Sequence, residues 1–223
     1  AGLADDQTVR AVVLTGQGPA FSAGADLNWM RSMVDFSYED QVADSRQLDA
    51  LFAAVDAFPA PVVARVNGHA LGGATGLIAC ADIAVAVRGA KLGFTEARLG
   101  LAPAVISTYV LPKIGLTNAR RYFLTGENFD ADAAKAMGLV HEVCEPEQLD
   151  AMTDEIVQCV LAAGPQAQRA IKRLIPEVAS AATREDSAAA TVPVIARLRV
   201  SDEGQAGMQA FFDRRPAPWA PED

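Results

Sequence analysis

Three short stretches carry residue types that can do chemistry together. Phe21 to Leu27, FSAGADL, and His69 to Gly76, HALGGATG, each follow a candidate strand and open a candidate helix, while KLGFTEARLGLAP from Lys91 to Pro103 sets Glu96 among apolar neighbours. The first N–H groups of a helix have no intrahelical partner and sit at the positive end of its dipole. Two such donors aimed at one point would hold an oxygen on which negative charge develops, and losing a donor of this kind typically costs about 2.7–4 kcal/mol of transition-state stabilisation. Glycine inside an element costs about 0.5–1 kcal/mol relative to alanine, so the run Gly68-His69-Ala70-Leu71-Gly72-Gly73-Ala74-Thr75-Gly76 must serve either close packing or a group that touches the main chain. A carboxyl facing an apolar cavity has a raised pKa, which suits Glu96 to proton transfer. Each stretch alone also has a plainer meaning. FSAGAD reads as a turn with Asp26 as N-cap, the glycines read as tight packing, and Glu96 reads as a surface acid paired with Arg98 or Arg88.

The elements that must position these residues follow from pattern. Val9 to Thr15 is β-branched and ends in Gly16, so it reads as a buried strand running into the loop GQGPAFSAG. Asp26 caps a short helix through Met33, and Tyr38 to Phe58 carries apolar residues at helical spacing until Pro59 and Pro61. Val62 to Asn67 reads as a second strand, Gly72 to Cys80 as a helix and Ile83 to Val87 as a third strand, an order that implies a right-handed parallel crossover. Beyond Lys91 a short extended piece and a turn precede mostly helices, with one further strand at Leu139 to Val143. Proline at 146 and 165 marks helix starts, and Thr183 to Phe212 reads as an alanine-rich helical tail. The expected architecture is α/β, with a core over 1–145 and a helical region over 146–223.

Bulk properties exclude several classes. A chain of 223 residues with 51% hydrophobic content has room for one well-buried core. A net charge of -9 argues against nucleic acid or an anionic membrane as the main partner. Cys80, Cys144 and Cys159 are too few and too scattered for a disulfide framework or a zinc site, and no metal is expected. The opening AGLADD does not read as a secretory signal, and Arg65, Asn67, His69 and Asp82 interrupt the longest apolar region, so a cytoplasmic protein is expected. No G-x-S-x-G elbow is present and GHALGGATG is not G-x-G-x-x-G, which disfavours a serine hydrolase and a dinucleotide enzyme.

The joint order of VVLTGQGPAFSAGADL, PVVARVNGHALGGATGL, CADIAVA, KLGFTEARLGLAP, ARRYFLTGENFDADAAKAMGLVHEV and EGQAGMQAFFDRR resembles the crotonase, or enoyl-CoA hydratase/isomerase, superfamily from about Val9 to Trp219. The resemblance implies the crotonase (ClpP/crotonase-like) fold of stacked β-β-α turns, a C-terminal helical region used in trimerisation, and a homotrimer or homohexamer. It also implies strands and a helix ahead of the first residue, so that the opening segment is missing from this numbering. An acyl-CoA thioester is then the substrate and no separate cofactor is expected. The N–H groups of Ala25 and Gly73 would bind the thioester oxygen, Ala23, Ala25, Asp26, Leu27, Asn28, Gly72 and Gly73 would line the substrate, and Arg214 would help hold phosphate.

Two-acid hydratases of this family carry one carboxylate at the position of Gly76 and one at that of Glu96, and only Glu96 is present. The resemblance therefore leaves open a hydratase, an isomerase that moves a proton between C2 and C4, and a weakly catalytic CoA-binding protein. RLGLAPAVISTYVLPKIG looks most similar to methylglutaconyl-CoA or isohexenylglutaconyl-CoA hydratase-like members, which implies hydration within fatty-acid or leucine breakdown. Glu96 would then act as both base and proton donor, with Thr75, Ser107 or a second water filling the space left at Gly76. His69 is expected to be structural, and Tyr109, Arg98 and Lys113 are expected to pair locally rather than read a substrate carboxylate.

Overall fold

A computed structural model describes residues 2–221. In chain order it contains α1 (Gly2–Asp5), β1 (Val12–Thr15), β2 (Ala20–Ser22), α2 (Leu27–Ser32), α3 (Tyr38–Asp56), β3 (Val62–Val66), β4 (His69–Leu71), α4 (Gly73–Cys80), β5 (Ile83–Val87) and β6 (Lys91–Gly93). There follow α5 (Ala104–Thr125), β7 (Asn128–Asp130), α6 (Ala131–Ala136), β8 (Glu142–Cys144), α7 (Leu149–Leu161), α8 (Pro165–Ser180), α9 (Arg184–Val200) and α10 (Asp202–Phe212). Short 3-10 turns lie at Met33–Asp35, Thr95–Leu99 and Pro146–Gln148.

The chain divides into two compact units. One comprises Val13–Ala57 and Val62–Thr153; the other is drawn from the segments up to Val12, Phe58–Pro61 and Asp154 onward. The first unit holds two sheets, ordered β1-β3-β5-β8 and β2-β4-β6-β7. Val63, Ala64, Val66, Ala84, Val85 and Ala86 are wholly buried, which explains why β3 and β5 read as continuous apolar runs rather than as alternating strands. Their parallel pairing, Val63↔Ile83 through Val66↔Ala86, is bridged by α4 as the strand-helix-strand order requires.

The second sheet is what the β-β-α turns of the resemblance imply, and its β6 is the short extended piece expected beyond Lys91. Strands β2, β4 and β7 were not read as strands from pattern, since three residues each are too few for a period of two to register. β2 pairs parallel with β4 and β4 parallel with β6, while β7 closes the edge antiparallel. Phe94 anchors this sheet from beneath, wholly buried and 4.8 Å and 5.5 Å from the rings of Phe123 and Phe129. The last strand of the first sheet falls at Glu142–Cys144, somewhat later than Leu139 to Val143 suggested, because Leu139 and Val140 close the α6 turn through N–H bonds to Ala134 O.

In the other unit, Pro165 opens α8 at its first position, and Thr183 caps α9 with Asp186 completing a capping box. The tail is broken once, at Ser201, whose side chain caps α10 by accepting from the Gly204 N–H. A cleft of about 640 Å³ between α8 and α9 is lined by Arg169, Arg173, Leu174, Val194 and Arg197 among others, and none of the three chemical stretches contributes to it. Among the described residues no helix is long and apolar enough to cross a membrane.

Candidate active site

The site is built at the carboxyl ends of β2, β4 and β6. Because these three neighbours run parallel, the residues that leave them emerge along one sheet edge: Ala23 to Asp26 after β2, Gly72 and Gly73 after β4, and Phe94 to Glu96 after β6. The turn that leads from β1 into β2 is held by Asn67, whose Oδ1 accepts from Gly16 N–H at 3.0 Å and whose Nδ2 donates to Gly18 O at 2.9 Å. Gly16 and Gly68 make this possible, since a Cβ on either would stand 2.2 Å and 2.1 Å from the carbonyls of Ala20 and Pro19.

Asp26 caps α2, its Oδ1 accepting from the N–H groups of Asn28 at 2.7 Å and Trp29 at 3.0 Å. Trp29 Nε1 then donates to Asp44 at 3.2 Å, which ties α2 to α3. Ala23, Ala25, Asp26, Leu27 and Asn28 are all exposed. Gly24, at φ +106, brings the bend against β4, and a Cβ on it would lie 3.3 Å from Leu71 O.

The glycines of the second bend divide by cause. Gly72 is buried at φ 56 and ψ -129, a conformation that side-chain-bearing residues rarely adopt. Gly73 is the first residue of α4, where the N–H has no intrahelical acceptor, and a Cβ on it would meet only Phe52 Cζ at 3.7 Å. Gly76 is a packing glycine: a Cβ there would stand 2.4 Å from Ile106 Cγ2 and 2.9 Å from Phe52 Cε1. This corrects the expectation that Thr75, Ser107 or a water fills the space at Gly76, since a branched aliphatic chain and an aromatic ring occupy it. Thr75 Oγ1 donates to Gly72 O at 2.6 Å, and Ser107 Oγ donates to Ala104 O at 2.6 Å.

Glu96 sits on the 3-10 turn that Phe94 anchors and that Gly100 ends in a left-handed conformation. Its Oε1 lies 3.5 Å from where a Cβ on Gly72 would be, so the carboxyl faces the second bend. Oε2 is buried and meets no hydrogen-bond partner among the described residues. Burial pushes its carboxyl above the ordinary glutamate range, with its own main-chain N–H pulling weakly the other way. Neither Arg98 nor Arg88 pairs with it: Arg88 instead bridges Asp132 at 2.5 Å and Glu145 at 2.8 Å.

The remaining candidates have partners of their own. His69 Nδ1 accepts from Lys91 N–H at 2.9 Å and so joins β4 to β6. Lys113 Nζ donates to Ala81 O at 2.8 Å, and burial lowers its pKa. Tyr109 packs 6.1 Å from the Phe52 ring. Arg214 belongs to the other unit, exposed at φ 54 just past α10, and its N–H donates to Phe211 O at 3.2 Å. Among the described residues no group of three His, Cys, Asp or Glu side chains could hold a metal ion. Sequence reasoning passed over Asn67 as an organiser of the turn that leads into β2; its place directly before Gly68, at the end of an apolar strand, was the available signal.

Comparison with known proteins shows the fold and the family. A solved enoyl-CoA hydratase from Shewanella pealeana superposes with a TM-score of 0.93 at 39% identity, covering 98% of this chain and 82% of that one. A Thermus thermophilus protein provisionally named an enoyl-CoA hydratase is 35% identical over 215 residues, 95% of this chain and 83% of its own length. The crotonyl-CoA hydratase of Syntrophomonas wolfei is 33% identical over 220 residues, 96% of this chain and 81% of its own. The family model described as enoyl-CoA hydratase/isomerase matches residues 1–222, and the chain belongs to that family.

Proposed function

We propose that the protein is an enoyl-CoA hydratase in which Glu96 is the single acid-base group and the N–H groups of Ala25 and Gly73 bind the thioester oxygen. The observation that carries this reading is the buried, unpartnered Oε2 of Glu96 on a carboxyl that faces Gly72. A desolvated carboxyl with a raised pKa exchanges protons near neutral pH more readily than a solvated one. In the forward direction, water attacks C3 of the conjugated thioester and gives its proton to the Glu96 carboxylate. Electron density moves onto the thioester oxygen, where the two amides hold it, and the enolate then takes the proton at C2 from Glu96. The exposed bend Ala23 to Asn28 is the surface for the CoA moiety, with Gly72 and Gly73 against the acyl carbonyl. Similarity of RLGLAPAVISTYVLPKIG to glutaconyl-type hydratases supports a branched or functionalised acyl chain.

The apolar filling at Gly76 favours one second reading, isomerisation of a 3-enoyl-CoA, because that reaction needs a single carboxylate to take a proton from C2 and return it at C4. Absorbance of the conjugated thioester separates the two: it falls when water adds to crotonyl-CoA and rises when a 3-enoyl-CoA is brought into conjugation. Glu96→Gln is expected to abolish either change while acyl-CoA binding by calorimetry stays near the parent value. A fully active Gln variant removes Glu96 from the chemistry, and an unchanging absorbance with both substrates removes the enzymatic reading.

A further inference from the structure

Gly72 is held at both ends. Its N–H donates to Gly93 O at 2.9 Å, continuing the β4–β6 ladder, and its carbonyl accepts both Thr75 Oγ1 at 2.6 Å and Thr75 N–H at 2.9 Å. A trans peptide is planar, so the carbonyl of residue 72 and the N–H of residue 73 point in opposite directions from one rigid plate. Fixing the oxygen therefore fixes the direction of the Gly73 N–H. We propose that the Thr75 hydroxyl is a positioning group for the Gly73 amide, setting its aim and strengthening it as a donor toward the thioester oxygen; this rests on the acyl-thioester reading above.

A threonine hydroxyl that bonds back to the carbonyl three residues earlier is ordinary in a first helical turn. Three features make this one different. The acceptor belongs to a residue whose dihedrals only glycine adopts readily, so no side chain at 72 restrains the plate. Thr75 is wholly buried, so water cannot replace the bond if the hydroxyl is lost. The plate ends at the one N–H that α4 presents first. A carbonyl that accepts a short bond also polarises its own peptide, which makes the attached N–H a better donor.

The test uses Thr75→Val, which keeps the volume and loses the hydroxyl, and Thr75→Ser, which keeps the hydroxyl. Both are made in the wild type for kinetics and in Glu96→Gln for spectroscopy, with thermal unfolding recorded for each. In Glu96→Gln, isotope-edited infrared of bound crotonyl-CoA is expected to show the thioester carbonyl at lower frequency than in free crotonyl-CoA. Thr75→Val should diminish that shift and lower kcat by about 10-fold, with KM nearly unchanged, a fraction of the loss seen on removing a donor outright. Thr75→Ser should restore both. A shift and kcat that survive in Thr75→Val, or that fall equally in Thr75→Ser, overturn the proposal. Should Thr75→Val not fold, Thr75→Cys decides in its place: its weaker donor should give an intermediate shift, and a full shift counts against the proposal. A carbonyl left unshifted in Glu96→Gln itself overturns the acyl-thioester reading, and the positioning role with it.

Discussion

Ile106 stands where a side chain at Gly76 would have to go, with its Cγ2 only 2.4 Å from the position of a Cβ and Phe52 Cε1 2.9 Å away. Two opposed effects meet at this residue. Alanine in a helix interior is favoured over glycine by about 1 kcal/mol. Overpacking a closed core typically costs about 1–3 kcal/mol, and both neighbours are almost fully buried, so neither can move aside into solvent. Gly76→Ala is therefore expected to lower stability in denaturant titration, and Gly76→Ala with Ile106→Val to recover part of the loss. Gly76→Glu alone should fail to install a second catalytic acid, because the new carboxyl would have to enter an apolar contact. A stable, more active Gly76→Glu would show that the Ile106 side chain yields freely.

Gly72 and Gly73 are adjacent, yet they should respond oppositely to alanine. At Gly72 the strain of a Cβ at φ 56 and ψ -129 costs on the order of 1–3 kcal/mol, so Gly72→Ala should be less stable and inactive. At Gly73 a Cβ meets only ordinary contact, and alanine suits a first helical position. Gly73→Ala should therefore fold with near-parental stability while its methyl group obstructs the acyl carbonyl. Calorimetric binding of an acyl-CoA together with thermal unfolding separates the two. Retained binding in Gly73→Ala would place the carbonyl elsewhere.

The long elements were legible because they bury whole faces. α3 from Tyr38, the strand Ile83–Val87 and the proline-started α8 lie where composition put them, since each spans enough residues for a period to emerge. The parts of the candidate site were legible as glycines, a helix start and an isolated acid, each a feature of a few consecutive residues. What escaped was set by distant partners. The three-residue strands β2 and β4 exist through pairing with each other and with β6, and nothing within Ala20 to Ser22 announces it. In the same way Gly76 looked like a vacancy beside Gly72 and Gly73, while Ile106, thirty positions on, fills it.

If Glu96 is the acid-base group proposed, it ties activity and stability to pH in opposite senses. Its carboxyl is raised above the ordinary glutamate value by burial, so between the unfolded value and the higher folded value the native state binds more protons than the unfolded chain. The stability this lends is fully present below the unfolded pKa and is lost as pH rises through the folded one. Glu96→Gln removes the ionisation, so the variant should match the parent in acid and exceed it at neutral pH, as thermal unfolding across pH would record. In the proposed hydration Glu96 acts as base in its carboxylate form, so kcat/KM should climb with pH on an acid limb centred above the ordinary glutamate range. On the proposed mechanism, the ionisation that weakens the fold is the one that enables the reaction. An acid limb at an ordinary glutamate pKa, or a Gln variant no more stable than its parent at neutral pH, would place this carboxyl in water rather than in the pocket.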